Sequence, residues 1–263
     1  MITMTEQISV PILAVDNLHI SYGGFKAVRD VSFSVRAREI FGLLGPNGAG
    51  KTSTLSAIEG LLKPGSGRIS VSGYDIIKDP LNAKANMGVQ LQSTSFQPEL
   101  NVAEVISLYA GIYGVPMTKT KLQNILQELK LEDSARKKFG QLSGGQQQRV
   151  SLFIATIHEP KLVLLDEPTT GLDPQSRRQL WERIEAMRDR GNGILLTTHS
   201  MEEAEAVCDR IAIIDHGDII ATGTPQDLVD KHKNDADVIA ACRKGKVTLE
   251  DIFIGLTGRT VRA

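Results

Sequence analysis

Short apolar runs recur along the chain, and amphipathic stretches separate them. Ile40 to Leu44, Leu162 to Leu165, Ile194 to Leu196 and Ile211 to Ile214 consist almost entirely of apolar residues. Such runs are typical of parallel strands that a sheet buries on both faces. Because helical patterns lie between them, the runs predict an α/β core.

The first part of the chain has a different pattern. Leu13 to Ile20 and Val31 to Val35 alternate between apolar and polar positions, which favours strands with one solvent-facing side. Tyr22-Gly23-Gly24 has the composition of a turn between them. We therefore predict an N-terminal antiparallel β subdomain.

From Gly88 to Pro160 the pattern becomes helical. Asn101 followed by Glu104 has the form of a helix start. Residues 121–131 and 144–157 supply two further amphipathic segments, and no strand is expected before Leu162. The pattern predicts an α-helical subdomain, at about residues 93–157, inserted into the core.

The remaining boundaries follow from the same patterns. We assign residues 1–230 to one nucleotide-binding unit and residues 231–263 to a short C-terminal tail. A helix is expected from Pro225 to Lys231, and an amphipathic segment from Leu249 to Leu256.

A glycine-rich loop follows the first apolar strand. Gly45 to Thr52 fits the pattern G-x-x-x-x-G-K-[ST], and the helix expected over residues 51–61 completes a strand, loop and helix. In such a loop backbone N–H groups surround phosphates, while the lysine and the hydroxyl reach the γ-phosphate side and Mg²⁺. Kinases, GTPases and motors share this loop. An N-K-x-D string, which reads guanine, is absent from the chain.

A second glycine pair indicates a second anion site. In Leu142 to Gln146, Ser143 precedes Gly144 and Gly145 at the start of a helix. The free N–H groups and the positive end of the helix dipole face any group placed there. Two phosphate sites for one nucleotide imply a dimer.

Two carboxylates end the second apolar run. Asp166 and Glu167 lie where an open α/β sheet binds its ligands, at the carboxyl end of a strand. Mg²⁺ takes one or two protein oxygens beside phosphate oxygens, which suits Thr52 and Asp166. Glu167 is then available as a base. Taken alone, the pair could equally be two solvated acids at a strand end.

Six motifs, in this order and spacing, resemble those of ATP-binding-cassette (ABC) ATPases over about residues 13–225. They are the phosphate loop Gly45–Thr52, Gln92 after the fourth strand, the signature Leu142–Gln146 continuing to Arg149, the strand Leu162–Glu167, the loop Pro168–Asp173, and His199 after Thr197-Thr198. The resemblance implies a P-loop NTPase core and hydrolysis of ATP with Mg²⁺.

The resemblance also implies roles for single residues. Nucleotide would be bound by Tyr22, Gly45, Pro46, Asn47, Gly48, Ala49, Gly50, Lys51, Thr52 and Ser53. Catalysis would depend on Lys51, Gln92, Glu167 and His199, and Mg²⁺ on Thr52, Gln92 and Asp166. A second copy would contribute Leu142, Ser143, Gly144, Gly145 and Gln146, and the loop of Asp173 would cross the two-fold axis.

Three of these residues have plain structural alternatives. Tyr22, expected to stack on adenine, could be a strand aromatic at the edge of the core. His199 could be a hydrogen-bonded structural residue. Gln92 could be an ordinary polar residue at a strand end, and Gln90 leaves the register there open.

Composition bears on the partners. With 41% hydrophobic and 23% charged residues and a formal net charge of -1, the chain has no overall attraction to nucleic acid or to an anionic membrane. No apolar run approaches the ~20 residues of a membrane span. We expect a cytoplasmic protein. The family resemblance implies a peripheral position at the membrane and a separate membrane permease as partner, and the two phosphate sites imply a homodimer. Cys208 and Cys242 indicate buried thiols rather than zinc ligands or a disulfide.

Within the family, Thr169–Glu205 and the tail Thr248–Phe253 resemble ATPase subunits of bacterial exporters for drugs, antibiotics and polysaccharides. The polar loop Gln92–Pro98, with Phe96 expected to be exposed, is a candidate docking edge for the permease. A plain linker is the alternative for this loop.

Two other functions compete with transport. ABC ATPases that act on nucleic acid or the ribosome generally have duplicated cassettes, coiled coils or zinc cysteines, whereas this chain has one cassette and no sustained heptads. A nucleotide-binding scaffold without turnover is the second alternative. The presence of Lys51, Asp166, Glu167 and His199 argues against it.

Overall fold

Two β-sheets organise the part of the chain that the structure describes. A computed structural model describes residues 10–90, 96–242 and 245–258. The strands are β1 Leu13–Tyr22, β2 Phe25–Val35, β3 Ile40–Leu44, β4 Ser66–Val71, β5 Tyr74–Asp75, β6 Met87–Gln90, β7 Leu162–Asp166, β8 Gly193–Thr198, β9 Arg210–Asp215 and β10 Asp218–Gly223. The helices are α1 Lys51–Ile58, α2 Pro80–Ala85, α3 Val102–Ile112, α4 Lys119–Glu128, α5 Gly144–Thr156, α6 Pro174–Arg190, α7 Met201–Val207, α8 Pro225–His232, α9 Ala236–Ala241 and α10 Leu249–Thr257.

The smaller sheet is antiparallel, in the order β2-β1-β4-β5. β1 and β2 form a hairpin in which Tyr22 pairs with Phe25. Gly23, in the turn between them, has a left-handed φ of 58° that glycine adopts without strain. This confirms the predicted N-terminal antiparallel subdomain.

The larger sheet carries the site. Its order is β10-β9-β3-β8-β7-β6, with β9, β3, β8, β7 and β6 parallel to one another and β10 antiparallel at one edge. Every residue of β3 and of β8 is buried, as their apolar sequences predict. Because parallel strands share a direction, the segments that follow β3, β6, β7 and β8 all leave the sheet at one edge.

The helical segment between β6 and β7 has a hydrophobic cluster of its own. α3, α4 and α5 bury residues such as Val105, Ile125 and Val150 there. The helix start predicted at Asn101 is confirmed, since Asn101 and Glu104 form a reciprocal capping box. α5 also touches the sheet directly. A Cβ on Gly88 of β6 would lie 2.0 Å from the carbonyl oxygen of Ala155.

The expectation of an exposed Phe96 is wrong. Phe96 is buried, and its ring packs edge-on against Tyr109 and Phe139 with centroid distances of 5.1 and 4.7 Å. An aromatic ring gains more from such contacts than from solvent, so it joins the helical cluster despite its polar neighbours in sequence. Residues 92–95 of the candidate docking loop lie outside the described residues.

The C-terminal tail packs on the core. Leu249, Ile252 and Phe253 of α10 belong to the hydrophobic cluster that covers one face of the larger sheet, together with Val238 of α9. α9 lies in the tail between α8 and α10, where the sequence analysis predicted no helix. Cys208 is buried as expected, whereas Cys242 is partly exposed. Among the helices of the described residues, none has the length and apolar character needed to cross a membrane.

Candidate active site

The phosphate loop lies between β3 and α1, where the sequence predicts it. Gly48 and Gly50 have left-handed φ values of 81° and 111°. A Cβ on Gly50 would lie 2.6 Å from the carbonyl oxygen of Ala27, and one on Gly45 would lie 2.4 Å from that of Ile214. Only glycine fits these positions without displacing backbone. Within the loop, Asn47 and Gly48 are exposed, Pro46 is half-buried and Ala49 is buried.

α1 begins without a side-chain cap, because its N-cap is Gly50. Helix N-termini leave N–H groups without intrahelical partners, and they carry the positive end of the helix dipole. Thr52 is exposed in this first turn. The loop therefore offers backbone donors and a hydroxyl to an anion.

Lys51 is buried at the base of the loop, with 5% of its surface exposed. Its Nζ donates to the carbonyl oxygens of Gly45 at 2.8 Å and Pro46 at 3.1 Å. Nζ also lies 3.6 Å from Oε1 of Glu167. Burial lowers the pKa of Lys51, and the negative charges of Glu167 and Asp166 oppose that shift. These carbonyls and carboxylates hold the ammonium group at the loop.

Tyr22 lies next to the first turn of α1. Its hydroxyl donates to Oγ of Ser53 at 3.3 Å, and half of the residue's surface is exposed. The ring is therefore beside the phosphate loop and open to solvent on one side. This arrangement leaves a surface on which a planar base can stack.

The two carboxylates of the sequence prediction stand at the end of β7. Asp166 Oδ1 accepts a hydrogen bond from Oγ1 of Thr197, on the neighbouring β8. Glu167 has a left-handed φ of 45°, an uncommon backbone conformation for a residue with a long side chain. Its N–H donates to the carbonyl oxygen and to Oγ1 of Thr197, both at 3.1 Å.

These contacts direct the Glu167 side chain toward two polar neighbours. Thr170 donates from Oγ1 to Oε2 of Glu167 at 3.2 Å. His199 Nδ1 lies 3.3 Å from the same oxygen. Together with Lys51 at Oε1, the carboxylate joins the phosphate loop to the histidine at the end of β8.

One charged group near this site was missed by the sequence analysis. Glu59 follows α1 and is 7% exposed, and burial raises its pKa from 4.5 to about 7, with a further contribution from the charge of Asp166. No pattern in the sequence distinguishes it from a solvated acid at a helix end.

Replacing Glu59 with glutamine should stabilise the nucleotide-free protein as pH rises. The folded state holds the Glu59 proton more tightly than the unfolded state, so the stability it contributes is complete below pH 4.5 and is lost toward pH 7 and above. The variant should gain about 1 kcal/mol in unfolding free energy at pH 5 and about 3 kcal/mol at pH 8. Urea unfolding at both pH values measures this. The exposed control Glu99→Gln should change little, and an equal gain at both pH values would contradict the assignment.

The signature residues form the N-terminus of α5. Ser143 accepts from the Gln146 N–H and donates its own N–H to the Gln146 side chain, so the two make a capping box. Ser143 and Gly144 are exposed, while Leu142 and Gly145 are buried. A Cβ on Gly145 would lie 2.5 Å from Oγ of Ser176, so this turn packs against the start of α6.

Asp173 caps α6. Its Oδ1 accepts from the N–H groups of Gln175 and Ser176, both at 3.0 Å, and hydrogen bonding with Ser176 lowers its pKa. The loop before it is exposed at Thr170 and Gly171. The structure thus gives Asp173 a local structural role and leaves its loop accessible.

Two glutamines, Gln90 and Gln92, lie at or just after the end of β6 in the sequence. Gln92 lies outside the described residues. Gln90, at the end of β6, is buried and its side chain hydrogen-bonds Gln148 of α5. Gln90 therefore joins the core to the signature helix. Thr170 and Thr197 are further polar groups at the site to which the sequence analysis gave no role.

Comparisons with known proteins agree with this geometry. The family model described as ABC transporter matches residues 28–170, over half of the chain. The Nod factor export ATP-binding protein I of Burkholderia lata is 39% identical over 246 residues, which cover 92% of this chain and 81% of that protein. The linearmycin resistance ATP-binding protein LnrL of Bacillus subtilis is 39% identical over 222 residues, covering 84% and 71%.

Solved structures give the same result. An ATP-binding subunit of an ABC transporter matches with a TM-score of 0.81 and 31% identity, covering 93% of this chain and 99% of that one. An ATP-binding cassette in its ADP conformation matches with a TM-score of 0.76 and 26% identity, covering 88% and 98%. The P-loop NTPase fold class is thereby confirmed. The chain belongs to the ABC transporter family, as one of its ATP-binding and ATP-hydrolysing subunits.

Proposed function

We propose that this chain is the ATPase subunit of an exporter and that it acts as a homodimer at the cytoplasmic face of the membrane, bound to a separate permease. The observation that carries the proposal is the convergence of Lys51, Glu167 and His199 at the phosphate loop. Relatives named for Nod factor export and linearmycin resistance support export over action on nucleic acid.

Each loop element has a role in binding ATP. Tyr22 stacks on adenine, and the N–H groups of the loop from Gly45 to Ser53 bind the phosphates. The ammonium group of Lys51 stabilises negative charge that develops on the transferred phosphoryl group. The contacts of Lys51 with Gly45 and Pro46 support this role, because they hold Nζ at the loop before nucleotide binds.

The residues fit Mg²⁺. Thr52 and Asp166 supply hard oxygen donors, and Gln92 is the third proposed ligand. Among the described residues no three His, Cys, Asp or Glu side chains form a ready metal cage. The three proposed donors, Thr52, Asp166 and Gln92, suit an ion that takes most of its ligands from phosphate oxygens and water. When bound, Mg²⁺ would neutralise charge on the β- and γ-phosphate oxygens.

In the reaction, Glu167 accepts a proton from the attacking water, and His199 holds the Glu167 carboxylate in place. Proximity of His199 Nδ1 to Glu167 Oε2 supports this division of roles. Hydrolysis then needs no covalent intermediate, because a positioned base and electrostatic stabilisation suffice for phosphoryl transfer to water.

Residues Leu142–Gln146 complete the site of the other copy. Exposed Ser143 and Gly144 at the start of α5 present a helix N-terminus to solvent, which suits the γ-phosphate bound to a second chain. The accessible loop before Asp173 lies next to this turn, and it would meet its symmetry mate across the two-fold axis. Loss of the γ-phosphate removes one contact of each closed site, so ATP binding and hydrolysis drive closure and opening.

Phosphate release by the purified chain tests the function. We expect turnover of ATP that requires Mg²⁺ and stops on addition of EDTA. Since each site is composed of two chains, the rate per chain should rise with protein concentration until dimerisation is complete. The dilution series should span about a hundredfold in protein concentration around the dissociation constant of the dimer. A rate per chain that stays constant over this range would contradict a site shared between two chains.

A further inference from the structure

A carboxylate without an assigned role lies behind the catalytic residues. Glu203, in the first turn of α7, is fully buried. Nε1 of Trp181, on α6, donates to its Oε1 at 3.2 Å. Glutamate is among the side chains least often buried completely, so its position requires an explanation.

Two threonines share this carboxylate with Trp181. The hydroxyls of Thr198 and Thr169 also approach the carboxylate and lower its pKa. Within the described part of the chain, the hydrogen bond from a side chain to Glu203 is that of Trp181, and Oε2 is buried without a hydrogen-bond partner. Burial raises the pKa of Glu203, and the partners, with the nearby charge of Arg177, reduce that shift.

The threonines connect Glu203 to the catalytic pair. Thr198 directly precedes His199, and Thr169 follows Glu167 by two residues. The two segments meet where His199 approaches Glu167 at 3.3 Å. Trp181 comes from α6, whose N-cap is Asp173. One buried side chain therefore contacts three segments that lead to the proposed site.

We propose that Glu203 is a positioning residue for ATP hydrolysis, which fixes the loop of Glu167 relative to the strand end that carries His199. The proposal rests on the roles given above to Glu167 and His199. A need for such a support follows from the left-handed φ of Glu167, since the surrounding structure must hold that backbone conformation.

Side-chain length, rather than charge, should decide whether position 203 supports catalysis. The glutamine side chain has the same length as that of glutamate. Its amide oxygen can accept a hydrogen bond from Trp181, and its NH₂ group can donate to the threonine hydroxyls. Alanine removes all three contacts. Misplacement of a catalytic group by about 1 Å is enough to slow a reaction by about a hundredfold.

The test compares Glu203→Gln with Glu203→Ala in ATPase kinetics. Glu203→Ala should lower kcat about tenfold or more, with KM for ATP within about threefold of the unmodified value. Glu203→Gln should retain kcat within about threefold. The control Glu202→Ala removes an exposed charge from the same helix and should leave kcat unchanged. Unchanged kcat in Glu203→Ala, or a rise in KM with kcat retained, would overturn the proposal.

Fluorescence gives a second readout that does not depend on turnover. Trp181 is the only tryptophan in the chain, so its emission reports directly on the contact with Glu203. In the nucleotide-free protein, emission should shift in Glu203→Ala and stay unchanged in Glu203→Gln. If the emission of the two variants does not differ in this way, the proposed contacts of Glu203 are rejected. Normal turnover by Glu167→Gln would instead reject the catalytic roles on which the proposal rests.

A milder variant serves if Glu203→Ala does not fold. Thr169→Val removes one hydroxyl of the cluster and keeps the size of the side chain. We expect a drop in kcat of about threefold or more with KM retained. Unmodified kinetics in Thr169→Val would overturn the proposal in that case.

Discussion

Replacing Glu167 with glutamine is expected to lower kcat for ATP hydrolysis by about a hundredfold or more, while ATP still binds. Glutamine preserves the shape of the side chain and can keep the contact with Thr170. It cannot accept a proton from water at neutral pH, so the general base is lost. The negative charge that faces Lys51 is lost as well. Phosphate binding depends on other groups and should persist or improve.

The Glu167→Gln protein should therefore accumulate as an ATP-bound dimer. Size-exclusion chromatography with MgATP measures the dimer, and phosphate release measures turnover. Glu182→Gln, an exposed glutamate on α6, is the matched control and should behave as the unmodified protein. A general base contributes about a hundredfold or more to the rate. Turnover by Glu167→Gln within about threefold of the unmodified rate would therefore exclude Glu167 as the base.

Mixing two inactive variants is expected to restore ATPase activity. Lys51→Ala removes the cation of the phosphate loop, and Gly144→Asp places a negative charge at the exposed start of α5, where it repels a γ-phosphate. An acidic residue in the first turn favours a helix, so Gly144→Asp should fold. Each variant alone has two defective sites per dimer. In a mixed dimer both lesions fall in one site, and the other site is intact.

An equal mixture should thus reach at most about a quarter of the unmodified rate, since half of its dimers are mixed and each of these has one intact site. Phosphate release by the mixture and by the separate preparations measures the recovery. Gly144→Asn has the size of the aspartate variant without its charge and serves as the control, which should retain more activity. If each chain contained a complete site, mixing would give only the sum of the two residual rates.

Local signals in the sequence predict the core of the fold well. The apolar runs of β3, β7, β8 and β9 each fill a buried strand, and the glycine loop lies where its strand and helix require. The sequence also predicts that Lys51, Asp166, Glu167 and His199 lie at one edge of the larger sheet, because they lie at or after the carboxyl ends of parallel strands. Family resemblance supplied the roles that spacing alone leaves open.

Long-range packing accounts for what the sequence analysis missed. Phe96 is buried because Tyr109 and Phe139 approach it from elements far along the chain. Glu203 stands among three glutamates in seven residues, and only the contact with Trp181 distinguishes it from Glu202, which is exposed. Short edge strands such as β5 lack the apolar period that reveals longer ones.

The φ of 45° at Glu167 means that the residue proposed as the general base has a strained backbone conformation. A residue with a Cβ gives up about 1 kcal/mol or more in this conformation relative to glycine. The backbone conformation proposed to orient the catalytic carboxylate therefore lowers the stability of the folded chain by about 1 kcal/mol.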